Sequence, residues 1–131
     1  MKIAYLDCFS GVSGDMLLGA LLHAGVPENL LKRDLKRLKL GRYNFAVTPA
    51  QKMHLTGRQV TIRTAGHHHA HRTFSDIRRL IRESTLSPGV KDLSIADCYE
   101  LAAAEADIHR TKPSRVHFHE VGAVDSIIDI V

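Results

Sequence analysis

Nine of the 131 residues are histidine, and four of them, His67, His68, His69 and His71, fall within five positions. Imidazole nitrogens are borderline ligands suited to Ni, Zn, Cu or Co, and neighbouring imidazoles on one loop can reach a single ion together. A solvated polar loop is the plain alternative, but so dense an internal cluster favours metal contact. Ligand type alone does not name the metal, since the general affinity order does not single out nickel. A second group is His117-Phe118-His119-Glu120. In an extended segment His117 and His119 share a face and Glu120 takes the other. Asp125 and Asp129, four apart, would share a helix face and could complete an N/O ligand set or orient the imidazoles. Equally, Glu120 and Asp125 could cap a helix and His117 could be a packed strand residue; both readings stand.

A third group opens the chain: Asp7, Cys8, Ser10, Gly11, Ser13, Gly14 and Asp15. Small residues at a helix entrance can present backbone N–H groups to a phosphate. The spacing fits neither common phosphate-loop pattern, and a structural turn with an N-cap explains the same residues more simply. Asp15 would repel a bare phosphate, so a bridging cation suits the loop better. Cys8 is either a thiolate ligand or nucleophile or, more simply, a small buried hydrophobe.

These groups need elements to hold them. Residues 2–7 alternate and then turn apolar, which predicts a strand ending at Asp7. Met16, Leu17, Ala20, Leu21 and Ala24 at helical spacing, with Ser13 as N-cap and Gly25 as stop, predict a helix over 14–24. A second helix is predicted over 27–39, ended by Gly41, and period-two patterning predicts antiparallel strands over 43–51 and 57–64. Thr73 to Asp76 resembles a capping box opening a helix over 74–84, and Ser87-Pro88 opens another over 88–110. A short strand over 115–119 and a final helix follow. The fold class expected is α+β, a small, mainly antiparallel sheet of about four strands faced by helices. Ile127, Ile128, Ile130 and Val131 form an uncapped apolar run, from which we expect one amino-terminal domain over 1–131 of a longer protein, with part of the cover for that run supplied elsewhere.

Composition narrows the function classes. Hydrophobic residues are 44% and charged residues 24%, which describes a globular chain and excludes disorder. No apolar run approaches the roughly 20 residues of a membrane span, no secretory leader is visible, and the two cysteines are expected to be free thiols of a cytoplasmic protein. The net charge of +4 hides a split. Residues 1–82 carry 14 Lys/Arg against 5 Asp/Glu and residues 83–131 carry 4 against 9, giving +9 and −5. With aromatics at 5% and no recognised nucleic-acid motif, an anionic small molecule is a better partner than a polynucleotide.

The motif from Asp7 to Met16, the histidine loop leading into Asp76-Ile77-Arg78, and the run from Val116 to Ile127 together resemble the amino-terminal region of the LarC family of nickel insertion proteins, in the correct order across the whole chain. The resemblance implies a nickel insertase. Ni(II) is placed between two sulfurs and a pyridinium carbon of a nucleotide-like thiocarboxylate, in a CTP-dependent reaction that matures the nickel-pincer cofactor. Family members are much longer. Their CTP site, with its divalent cation, is associated with a carboxy-terminal domain, so this chain would supply the metal-handling or substrate half and is not expected to bind CTP itself. Carried over by position, Asp7, Asp15, His119 and Glu120 are the candidate catalytic groups, Ser10, Gly11, Ser13 and Gly14 the candidate substrate or cofactor cradle, and His67, His68, His69, His71, His117, His119 and Asp125 the candidate metal ligands. Arg63, Arg72, Arg78 and Arg79 would attract the substrate phosphate. A homo-oligomer is expected, with neither nucleic acid nor membrane as partner. The alternative is a histidine-rich nickel store or delivery module without catalysis of its own. If His117 and His119 end a strand beside the one ending at Asp7, all the ligands meet at one rim.

Overall fold

The computed structural model describes residues 3–64, 72–118 and 123–131. Five α-helices and two antiparallel ladders of two strands each form an α+β fold, as the sequence predicts. In chain order these are α1 (Gly14–His23), α2 (Glu28–Leu35), β1 (Tyr43–Lys52), β2 (Leu55–Thr64), β3 (Arg72–Thr73), α3 (Phe74–Glu83), α4 (Pro88–His109), β4 (His117–Phe118) and α5 (Val124–Ile130). Short 3-10 turns occupy Lys36–Leu38 and Pro113–Arg115.

The four strands do not make one sheet. β1 and β2 pair with each other along their whole length, Tyr43 opposite Thr64 through Lys52 opposite Leu55, so this ladder closes locally. The strands run one or two residues beyond the predicted bounds, to Lys52 and from Leu55, and β1 holds Pro49 because a two-stranded ladder leaves alternate N–H groups facing away from the partner. β3 pairs with β4, Arg72 opposite Phe118 and Thr73 opposite His117. It is cut to two residues because Thr73 diverts the chain into α3. The Thr73 hydroxyl accepts from Asp76 N at 3.2 Å, and the Asp76 carboxylate accepts from Thr73 N at 3.0 Å, a reciprocal capping box.

The strand predicted over 2–7 is absent. Residues 3–8 join no ladder among the described residues, and the two ladders remain two-stranded. The second helix stops at Leu35 rather than 39, tightening to a 3-10 turn and ending on Lys39 in the left-handed region at φ 50. α1 ends as predicted: Gly25 at φ +105 lets Val26 N reach Leu21 O at 3.0 Å.

The core is built from Phe74, Ile77 and Ile81 of α3, Cys98, Ala102 and Ala106 of α4, Phe118 of β4, and Ile127 and Ile128 of α5, continued by Leu22, Leu35, Leu38, Phe45 and Val60. Ile127 and Ile128 are therefore covered by this chain itself, while Ile130 and Val131 of the same run are half-buried. Cys98 is buried, which pushes its thiol up to about 11 and makes it inert. α1 lies directly on β2. At Gly19 an added Cβ would overlap the backbone carbonyl oxygen of Arg58, so only glycine permits this approach.

Two stability outcomes follow. Gly19→Ala should lower stability by about 1–3 kcal/mol through overpacking against an unyielding backbone, and Thr73→Ala by about 1 kcal/mol through loss of the cap. Both are read by chemical denaturation; an unchanged midpoint for Gly19→Ala would contradict the α1–β2 contact.

Candidate functional site

α1 and α5 bring the first and last motifs of the chain together. Ser13 occupies the N-cap position of α1, but its hydroxyl donates to the Asp15 carboxylate rather than accepting from the backbone. Asp15 also accepts from Met16 N at 2.9 Å. Helical geometry on α5 places Asp125 and Asp129 one turn apart, as their spacing predicts. Gly14 is the meeting point: a Cβ there would overlap the side chain of Asp129. The glycine read as part of a phosphate cradle thus has a packing reason to be small.

The result is an acidic corner of three carboxylates. Burial pushes the Asp129 carboxyl up to about 6, and the neighbouring Asp15 and Asp125 carboxylates push it the same way. Its Oδ1 is buried and lacks a hydrogen-bond partner among the described residues. Among the described residues no group of three or more His, Cys, Asp or Glu is spaced to hold a metal ion, so the corner is not a finished coordination shell. It can take up a proton or share a cation with donors from elsewhere. The sequence places Asp129 on one helix face with Asp125, able to complete an N/O ligand set or orient the imidazoles; its place against Gly14 of α1 depends on a tertiary contact that no spacing reveals.

The remaining candidates fall differently. Asp7 and Ser10 lie exposed on the segment leading to α1, and Gly11, at φ +83, closes a turn in which its N–H donates to Cys8 O at 2.9 Å. Cys8 is exposed, not packed as a small hydrophobe, and both cysteines are free as expected. His117 is exposed opposite Thr73 in the β3–β4 ladder. The rim expected from neighbouring strands is not formed as reasoned, because β4 pairs with β3 and residues 3–8 are no strand. His67, His68, His69, His71, His119 and Glu120 lie outside the described residues.

Asp76, facing the β3–β4 ladder, is held below the usual carboxylate range by the Thr73 hydroxyl and the Thr73 backbone N–H, with smaller help from Arg79 and His117. Of the arginines read as phosphate attractors, Arg79 pairs with Asp76 at 3.2 Å and Arg78 lies over the Phe74 ring at 5.7 Å. The concentrated positive charge is elsewhere. A cavity of about 560 Å3 beside β1 has Leu35, Leu40 and Phe45 as its floor and Lys32, Lys36, Lys39 and Arg42 around it. Lys32 pairs with Glu28 at 2.7 Å.

The model of the family described as "Nickel insertion protein" matches residues 4–131. The chain belongs to that family. It is 51% identical over all of its length to a protein of Desulfitobacterium hafniense named pyridinium-3,5-bisthiocarboxylic acid mononucleotide nickel insertion protein, of which it covers 32%. Proteins of the same name from Geobacillus kaustophilus and Acetivibrio thermocellus are 48% and 44% identical, each again over the whole chain and 34% of the relative. The chain thus spans about a third of the length of the curated relatives it matches. No solved structure matches it. No helix among the described residues is long and apolar enough to cross a membrane.

The acidic corner has a pH signature. An unfolded aspartate titrates near 4 and Asp129 in the fold at about 6, so the folded state binds the extra proton between those values and stability falls as pH rises through them. Asp129→Asn should remove that fall and raise the neutral-pH stability by about 1 kcal/mol, after allowance for solvent screening at a partly exposed site. Thermal melts from pH 4 to 8 read this directly. A wild-type curve that rises across that window, unaltered by Asp129→Asn, would contradict the carboxylate cluster.

Proposed function

We propose that this chain is the metal-handling part of a nickel insertase that loads Ni(II), as substrate, into a pyridinium bisthiocarboxylate mononucleotide. The observation that carries the proposal is that the Asp7 to Met16 motif and α5, the helix that continues the Val116 to Ile127 motif, meet at Gly14 and Asp129, with Asp15 and Asp125 near enough to Asp129 to push its carboxyl up. Relatives bearing that name cover the chain from end to end, which supports nickel as the ion.

In this reading the acidic corner supplies hard oxygen donors and His67, His68, His69 and His71 capture the ion first. His117, His119 and Glu120, on the segment entering α5, complete the shell or orient it. The three crowded carboxylates favour uptake of a divalent cation, since a cation offsets the burial penalty on the Asp129 carboxylate and the repulsion from Asp15 and Asp125. Asp7, Ser10, Gly11 and Ser13 line the approach to α1, where hydroxyls and backbone N–H groups would hold the substrate. The cations around the β1 cavity account for attraction of an anionic mononucleotide over distance. CTP, with its divalent cation, belongs to the part of the full-length protein that this chain does not span. The full-length protein is a lyase-class enzyme, cytoplasmic and homo-oligomeric, in the same proposal.

Calorimetric titration of the chain with Ni(II) tests the proposal. An insertase site should bind about one ion per chain, weakened about 10- to 100-fold in the Asp15→Asn/Asp129→Asn double variant. Replacing His67, His68, His69 and His71 together by Ala should only slow or weaken capture. In the full-length protein, His119→Ala should abolish insertion with the fold intact. Several weakly held ions per chain, lost with the loop histidines and indifferent to the aspartates, would instead make the chain a nickel store.

A further inference from the structure

The segment before α1 exposes Ile3 at 79%, Tyr5 at 87%, Leu6 at 60% and Phe9 at 90% of their full accessible surface. Four large apolar side chains within seven residues are too many for an ordinary surface loop, and their removal from water is worth roughly 1.5–3 kcal/mol each when complete. The pattern is that of a strand, yet residues 3–8 join no ladder, so their N–H and C=O groups also lack strand partners among the described residues. The position of α5 supplies the missing piece. Asp129, near the C-terminal end of α5, lies against Gly14, the first residue of α1. Polypeptide following residue 131 would therefore emerge beside the segment that leads into α1. The relatives carry about twice as much further chain as the part matched here.

We infer that residues 3–8 form a β-strand in proteins of full family length, and that its partner is an extended segment of the same polypeptide following α5. That segment supplies backbone donors and acceptors to the ladder and apolar side chains to cover Ile3, Tyr5, Leu6 and Phe9. The acidic corner and Cys8 would then stand at the carboxyl end of a paired strand, where the loop from Ser10 to Ser13 is held from both sides. The inference depends on packing and family length, not on the nickel chemistry, and stands or falls separately from it.

Amide hydrogen exchange read by mass spectrometry tests it on two proteins, this chain and the full-length Desulfitobacterium hafniense relative, with the oligomeric state of each measured by light scattering. Amides of residues 4–8 should exchange within about tenfold of the free-peptide rate in this chain and be protected at least about 100-fold at the corresponding positions of a full-length monomer. Fast exchange in both would overturn the inference. So would protection already present in this chain, which in a dimer would make a second copy the strand's partner, or protection of the full-length protein that disappears when its oligomer dissociates.

Discussion

The close approach of α1 to its two neighbours is the constraint on which the rest of the molecule depends. One helix of ten residues touches β2 through Gly19 and α5 through Gly14, and at both positions a single methyl group would collide with the neighbour. A helix pinned on two sides has little freedom to turn. Asp15, one residue past the α5 contact, is therefore presented beside Asp129 whatever the flexible groups around it do. Burial, with repulsion from Asp15 and Asp125 added to it, pushes the Asp129 carboxyl up to about 6. A fold that only needed stability could relieve the repulsion with an amide or a serine. Keeping three carboxylates together, one with a buried oxygen that lacks a partner among the described residues, makes sense where a cation arrives.

Local features were legible in the sequence to the extent that local physics decides them. The capping box at Thr73, the Ser87-Pro88 helix start and the Gly25 stop involve residues within a turn of one another, and the structure realises all three helix ends as read. The β1–β2 hairpin was legible for the same reason, since its two strands alternate and are joined by a short connection. What spacing could not give was which strand pairs with which. β4 found β3 across more than forty residues of chain, and the segment over 3–8, strand-like in pattern, has no strand partner among the described residues.

The same divide separates the parts of the candidate site. Asp125 and Asp129 share a helix face by periodicity alone, and that was readable. That Gly14 is small because Asp129 packs against it, so that Asp15 joins the pair, belongs to tertiary structure. His117 illustrates the opposite case: the sequence left open whether it packs in its strand, and the structure buries Phe118, turns His117 outward and joins it to the ladder of Thr73. The charge split of the sequence also takes a spatial form, with lysines and an arginine around the β1 cavity and carboxylates at the α1–α5 corner. An anion and a cation would thus each meet a region of complementary field.

The account rests on the α1–α5 corner as the place where nickel is held, and the most direct measurement is an anomalous-difference map at the nickel edge from crystals of the chain grown with Ni(II). The account predicts a peak within coordination distance, about 2 Å, of carboxylate oxygens of Asp15 or Asp129. A map whose nickel peaks all lie away from those carboxylates, or at the loop histidines alone, would contradict it.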